Sequence, residues 1–304
     1  FEVPERTAAD GTVLRSLEGF DAAPLAHALR EAGVQTVAVA FVNSYVNAGN
    51  EESVAQALRR LLPDVPVTTS AGLVRARGEF ERASTAVLNA YLTPMMAEYL
   101  DRLHAELSSK GVTAPVNIMG SNGGAMTLAE AARRVSGTFL SGPVGGVNGA
   151  VQVARMLALE DVITLDMGGT STDVALVHRL EPRMSYDNQV DAYPLQMPQL
   201  DIHAIGAGGG SIVWVGPDGM LQIGPRSAGA LPGPACYGRG GTEPTISDAN
   251  LLLGRLPADH PLSGGLNLRM DLAEQAFREA AQRVGETDVH QLAARALQVA
   301  TAKM

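Results

Sequence analysis

The segment "VITLDMGGTSTDVALV", residues 162–177, limits what this chain can fold into more than any other. Two apolar runs, Val162 to Leu165 and Val174 to Val177, each read as a buried strand. Between them lie a glycine pair, three hydroxyl residues and two aspartates. Gly168 and Gly169 let the backbone turn sharply and present its N–H groups as a nest for phosphate-like oxygens. Thr170, Ser171 and Thr172 add hydroxyl donors to the same concavity. Asp166, at the last strand position, can hold Mg²⁺ through water, and Asp173 places a second carboxylate at the mouth. An ordinary hairpin turn needs only one or two special residues, so this density of polar groups asks for a ligand.

The order strand, glycine turn, strand differs from the nucleotide motifs in which a helix follows the loop. The chain has only two lysines, Lys110 and Lys303, and neither sits in a G-x-x-x-x-G-K-[ST] frame, which excludes a P-loop. No G-x-S-x-G elbow and no H-E-x-x-H pair occurs. "GAGGGS", Gly206 to Ser211, misses G-x-G-x-x-G at its last position and leads into the strand-like "IVWV". The formal charge of −9 without a basic run argues against nucleic acid and anionic membranes as partners. A single cysteine, Cys236, excludes an internal disulfide and fits a reducing compartment. No apolar run approaches the roughly 18 residues a membrane span needs, so a soluble, cytoplasmic protein is expected.

Strand and helix signals alternate through the first half, which predicts an α/β class with a largely parallel sheet. Strands are expected over Val34–Val42, Val65–Ser70 and Val116–Ser121, and a helix over Glu51–Leu62. The longest helical pattern runs from Ser84 to Leu107, with Pro94 inside it expected to kink or split the helix. Its Met and Tyr stripe, including Tyr91, Met95 and Tyr99, reads as core. Residues 185–245 turn rich in Gly and Pro with short β-like runs, and helical spacing returns at Leu272–Val284 and Val289–Thr301. A boundary is expected near residue 140, giving parts 1–140 and 141–304. Both ends look cut, as in an internal fragment of a longer protein.

Several motifs admit two readings. In "LDIHAIGAGGGSI", Asp201 and His203 alternate with apolar residues and share one strand face. They can bind a metal or relay a proton, or form a hydrogen bond that braces the glycine loop. Gly208, Gly209, Gly210 and Ser211 allow close approach of the backbone to a ligand or to another part of the protein. "SNGG", Ser121 to Gly124, reads equally as cleft or as turn. Cys236 reads as small packing, because no base motif accompanies it. Arg226, Arg239 and Asp248 either line a cleft mouth or pair at the surface.

"LDMGGTSTDVAL" resembles the second phosphate loop of the actin-like ATPases, and "SGPVGGVNGAVQVARMLALEDVITLDMGGT" is similar to their linker helix and following strand. The ordered blocks "FEVPER", "AVAFVNSYVNAGNE", "GEFERASTAVLNAYLTP", "IMGSNGG", "LSGPVGGVNGA" and "GPRSAGALPGPACYGRGGTEPTISDANLLLGRL" resemble the ATP-dependent subunit of the hydantoinase A/5-oxoprolinase family, which includes acetone carboxylase subunits. The resemblance implies an incomplete two-lobed actin-like ATPase (ribonuclease H-like) fold with a Gly/Pro-rich β insertion. Residues 1–140 would be the C-terminal part of the first lobe. Residues 141–304 would hold the linker helix and the N-terminal part of the second. It implies ATP and Mg²⁺, with Asp166, Gly168, Gly169, Thr170, Ser171, Thr172 and Asp173 around the phosphates, and Asp166 and Asp173 at the metal. Gly208 to Ser211 join the cofactor set, and Asp173, Asp201 and His203 are the candidate catalytic groups. The implied reaction opens a cyclic amide of the hydantoin or 5-oxoproline type by phosphorylating its carbonyl oxygen. A ketone carboxylase subunit and a non-catalytic truncated module are the alternatives. A hydantoinase B-type subunit or domain is the expected partner.

Overall fold

The structure is a computed structural model and describes residues 1–262 and 264–304. The chain divides into two compact units, one formed by Phe1–Gln152 with Pro182–Asp201, the other by Val153–Glu181 with Ile202–Met304.

In the first unit, helix α1 (Ala23–Glu31) is followed by strand β1 (Val37–Val39), helix α2 (Gly49–Leu61) and strand β2 (Val67–Thr69). β1 and β2 pair in parallel across the α2 crossover. Ala26, Leu29, Val39, Val54, Leu58 and Leu62 form a small aliphatic core beneath them. The apolar run from Val34 to Val42 is longer than β1 because side chains capture the backbone beyond it. The Glu51 carboxylate accepts the Phe41 N–H at 2.9 Å, and Asn43 donates to the Thr7 carbonyl at 2.9 Å.

Helix α3 (Glu79–Ser109) starts earlier than its apolar pattern and continues across Pro94 without splitting. Its faces reverse the expectation. The buried side carries Arg82, Thr85, Asn89 and Thr93, whereas Val87, Tyr91, Met95 and Tyr99 are 57%, 74%, 65% and 51% exposed. The inward side chains are polar because each finds a partner. Asn89 donates to the Arg133 carbonyl at 2.9 Å and accepts from the Ser136 N–H and hydroxyl, both at 3.1 Å. Burial of a polar group is tolerated when its hydrogen bonds are complete.

Strands β3 (Asn117–Met119) and β4 (Ala125–Thr127) form a hairpin whose turn is "SNGG". Ser121 is fully buried there, and its hydroxyl accepts the Leu140 N–H at 3.3 Å. Asn122 accepts the Gly124 N–H, and Asn148 donates to the Gly123 carbonyl, both at 3.0 Å. The turn is thus internally bonded, and helix α4 (Leu128–Arg133) follows it. Helix α5 (Ser141–Met156) then carries the chain into the second unit.

The second unit opens with strands β5 (Val162–Met167) and β6 (Thr172–His178), an antiparallel hairpin. Strand β7 (Ile202–Ile205) joins the other side of β6, also antiparallel. Strands β8 (Ser211–Val215) and β9 (Leu221–Ser227) make a second hairpin. Helices α6 (Ile246–Leu252), α7 (Met270–Arg283) and α8 (Val289–Lys303) pack with it. Val213, Ile223, Ile246, Phe277 and Leu292 fill that core. The sheets are therefore not largely parallel: among the described residues β1–β2 is the parallel pair and the other ladders are antiparallel. Short turns connect most of these strands, and a short turn can only reverse direction. No described helix is long and apolar enough to cross a membrane.

Candidate phosphate-binding site

The hairpin β5–β6 is built as its residues demand. Its register places Asp166 directly opposite Asp173, and Met167 opposite Thr172. The turn between is closed by the Gly168 N–H, which donates to the Ser171 carbonyl at 2.9 Å. Residues 166–170 are exposed, Ser171 and Asp173 are half-buried, and Thr172 is buried. Among the described residues the N–H groups of Gly169, Thr170 and Ser171 meet no acceptor. A Cβ added at Gly169 would meet nothing within 4 Å, so the outer side of the turn is open. The strand runs are only partly buried. Ala175 and Val177 face the interior, while Ile163, Leu165 and Leu176 are 69%, 64% and 52% exposed on the opposite face.

The inner side of the turn is occupied by the glycine run. Gly209 donates to the Gly168 carbonyl at 2.9 Å, and Gly210 donates to that of Gly169. A Cβ at Gly208 would fall 2.7 Å from the Ser171 nitrogen and 2.8 Å from the Gly168 oxygen, so only glycine fits. The Ser211 hydroxyl, fully buried, accepts the Gly208 N–H at 2.8 Å, and the Thr172 hydroxyl donates to the Ala207 carbonyl at 2.6 Å. Gly208, Gly209, Gly210 and Ser211 thus approach the hairpin's own backbone. Their place is behind the turn, where they set its shape. Sequence reading could not find that role, because the group each glycine must clear lies some forty positions earlier in the chain.

Behind the glycine run stands α6. Ser247 donates its N–H to the Gly209 carbonyl at 2.7 Å. Asp248 is fully buried, and it belongs neither to a cleft mouth nor to a surface pair. Its carboxylate accepts the Thr245 N–H and hydroxyl at 2.8 and 2.7 Å and the Cys236 N–H at 2.7 Å. Thr245 and Asp248 form a capping box, a signal present in the sequence as "TISD" but not read there. Burial, with Asp248 nearby, pushes the Cys236 thiol pKa up, which makes it inert. Arg226 pairs with Glu243 at 3.0 Å on the surface. Replacing Asp248 by alanine strands two buried N–H groups, and an equilibrium urea titration is expected to show a loss of about 3 kcal/mol.

Asp201 and His203 are not brought together with the aspartate pair. Asp201 closes the first unit's segment outside any strand, ion-paired with Arg183 at 3.3 Å. His203 lies in β7 opposite Val174, whereas Ala204 is the residue opposite Asp173. Neighbouring strand residues point to opposite faces, so His203 projects away from the Asp166–Asp173 face. The expected common strand face fails because the β-strand begins only at Ile202.

Two carboxylates directly opposite each other repel, a destabilising arrangement unless a cation separates them. Burial first, and Asp166 second, hold the Asp173 carboxyl above the usual carboxylate range. Among the described residues no cluster of three His, Cys, Asp or Glu side chains could cage a metal. A pair next to free amides fits Mg²⁺ shared with phosphate oxygens, since that ion takes few protein ligands. The residues present therefore fit a Mg²⁺–polyphosphate ligand. The raised pKa has a testable sign. Folded-state stability from this group is present below the ordinary carboxylate range and is lost as pH rises through the folded pKa. At neutral pH without metal, Asp173→Asn is therefore expected to melt above the wild type. Added Mg²⁺ with ATP should raise the wild-type melting temperature and leave that of the variant nearly unchanged.

Comparison with known proteins shows the family. A Hydantoinase/oxoprolinase family model matches residues 82–304, and its N-terminal-region model matches residues 1–62. The alpha subunit of caprolactamase from Pseudomonas jessenii is 40% identical over 82% of this chain and 36% of its own length. The crystal structure of that ATP-dependent caprolactamase superposes with a TM-score of 0.79 at 36% identity, covering 98% of this chain and 43% of the other. A nucleotide-free acetone carboxylase structure gives a TM-score of 0.81 at 28% identity, covering 98% and 42%. The chain spans less than half the length of these relatives. Its α/β fold is that of a part of these ATP-dependent enzymes. By the matched models, the sequence identity and the superposed fold, the chain belongs to the hydantoinase/oxoprolinase family.

Proposed function

We propose that this chain is the nucleotide-handling part of an ATP-dependent hydrolase that opens a cyclic amide. The observation that carries the reading is the exposed Gly168–Gly169 turn, whose Gly169, Thr170 and Ser171 amides have no acceptor among the described residues, with the Asp166–Asp173 pair at its base. In this reading the amides of Gly169, Thr170 and Ser171 and the adjacent hydroxyls bind the terminal phosphate oxygens. Asp166 and Asp173 hold Mg²⁺, which neutralises charge on the phosphoryl group when bound. Gly208 to Ser211 keep the turn in shape through their contacts with its backbone.

A cyclic amide resists attack because its nitrogen donates into the carbonyl. Transfer of the terminal phosphoryl group of ATP to the carbonyl oxygen activates the carbon, so that one water adds there. The ring C–N bond then breaks with the nitrogen leaving as an amine, and a second water releases phosphate from the acyl phosphate that remains. The net change is cyclic amide, ATP and two waters giving an amino acid, ADP and phosphate. The chain's contribution is positional: fixed N–H donors and a metal held by two carboxylates, in place before the charge moves. Caprolactamase shares more identity with this chain than acetone carboxylase does, which favours a lactam-type substrate over a ketone. The caprolactamase relative is a subunit, which supports a second polypeptide as partner, here proposed to be of the hydantoinase B type.

The test is ADP release by the full-length protein with its partner, offered caprolactam, 5-oxoproline, hydantoin, or acetone with bicarbonate. Amide-dependent ADP release with matching amino-acid formation is the expected result. Release that depends on the ketone and bicarbonate alone would replace this reading with carboxylation.

A further inference from the structure

The first unit contains a cavity of about 720 Å³ that the phosphate site does not use. It lies along β2 and is walled by α2, α3 and α4. Its apolar floor carries a charged rim: Arg59, Arg133 and Arg134 as cations, Glu52 and Glu130 as anions. Some of these are already committed. Arg59 pairs with Glu52 at 2.8 Å and donates to the Val67 carbonyl at 3.2 Å. Arg134 is aimed by its bond to the Leu73 carbonyl at 2.9 Å.

Arg133 and Glu130 are different. They sit three residues apart on α4, a spacing at which opposite charges ordinarily meet. Yet among the described residues neither the Arg133 guanidinium nor the Glu130 carboxylate has an ion-pair or hydrogen-bond partner; what they do bond is backbone, the Arg133 carbonyl to Asn89 and the Glu130 N–H to Thr127. One unpaired cation and one unpaired anion therefore face the same apolar-floored space, flanked by the Arg134 guanidinium. Ligand pockets commonly combine a mainly apolar lining with a few convergent polar groups, in this size range.

We propose that this cavity binds a small zwitterionic amino acid, its carboxylate on Arg133 and Arg134 and its ammonium on Glu130. The choice of ligand rests on the cyclic-amide reading above, because ring opening turns a neutral amide into a molecule carrying both charges. A neutral lactam can offer Arg133 a carbonyl acceptor and Glu130 an N–H donor but no charge, whereas its hydrolysis product makes a charge-assisted pair with each. The cavity is thus a product-sensing site built wholly from first-unit residues.

Calorimetric titration of the full-length protein with 6-aminohexanoate tests this, with hexanoate and hexylamine as singly charged probes. Binding of 6-aminohexanoate is expected, with affinity falling at least tenfold for each singly charged probe. Arg133→Gln and Glu130→Gln should each weaken it about tenfold; both side chains lack partners, so the two variants report independently if one folds poorly. Equal affinity for hexanoate, no binding at millimolar ligand, or undiminished binding in a folded variant overturns the inference. Amide-dependent ADP release on the same preparation separates the two ideas. Turnover without 6-aminohexanoate binding sinks the pocket alone. Binding that depends on Arg133 and Glu130 without turnover sinks the reaction and keeps the pocket.

Discussion

Asp166→Ala in the full-length protein is expected to lower ATP turnover by roughly 10³-fold, on the scale seen when one preorganised electrostatic contact to a transition state is lost. The carboxylate stands one residue before the end of β5 and is paired with Asp173 across the ladder. Removing it would leave one acidic ligand for the proposed metal and the phosphoryl charge less well balanced. Stability moves the other way. The like-charge pair is relieved, so the variant melts at or above the wild-type temperature in the absence of metal. Steady-state ADP release and a thermal melt on the same sample check both halves. An inactive variant that has also unfolded would show a structural role instead, and a fully active one would remove Asp166 from the site.

Arg82→Ala carries the largest expected effect on stability, about 3–5 kcal/mol, as for one member of a buried charged network. Arg82 and Glu51 are each 1% exposed. Arg82 donates to the Ser70 hydroxyl at 3.1 Å, the Ala76 carbonyl at 3.2 Å, the Phe41 carbonyl at 2.7 Å and the Ser44 hydroxyl at 3.1 Å. Its guanidinium also lies 5.5 Å from the Tyr45 ring centre. The Ser70 hydroxyl donates to Glu51 at 2.9 Å, and Glu51 accepts the Ala71 N–H at 2.8 Å and the Phe41 N–H at 2.9 Å. One side chain therefore ties the segment after β1, the end of β2 and the start of α3. Arg82→Lys keeps the charge but not the planar fork, so most of the loss should remain. Equilibrium urea unfolding of both variants is the measurement. A loss below 1 kcal/mol in Arg82→Ala would mean that water replaces the guanidinium without cost.

The glycine turn was legible in sequence because its composition has few other uses. Glycines, hydroxyls and paired aspartates between two apolar runs leave little but a strand-turn-strand, and β5–β6 forms it. Helix α3 was legible as a helix but not in its orientation. Apolar residues at three-and-four spacing occupy one side, and Arg82, Thr85, Asn89 and Thr93 repeat with the same period on the other. Periodicity identifies the helix, while the buried face depends on distant partners such as Ser70 and Ser136. The same limit hid the work of Gly208 to Ser211 and misplaced Asp248, whose three N–H and hydroxyl donors come from residues 236 and 245. Asp201 and His203 looked paired because they are two apart. A strand that begins at Ile202 dissolves that relation.

The most direct test of the central claim is a crystal structure of the full-length protein with Mg²⁺ and a non-hydrolysable ATP analogue. Terminal phosphate oxygens are expected within hydrogen-bond distance of the Gly169, Thr170 and Ser171 amides, with a metal ion on the Asp166–Asp173 side of the turn. Triphosphate density elsewhere, with those amides facing only water, would contradict it.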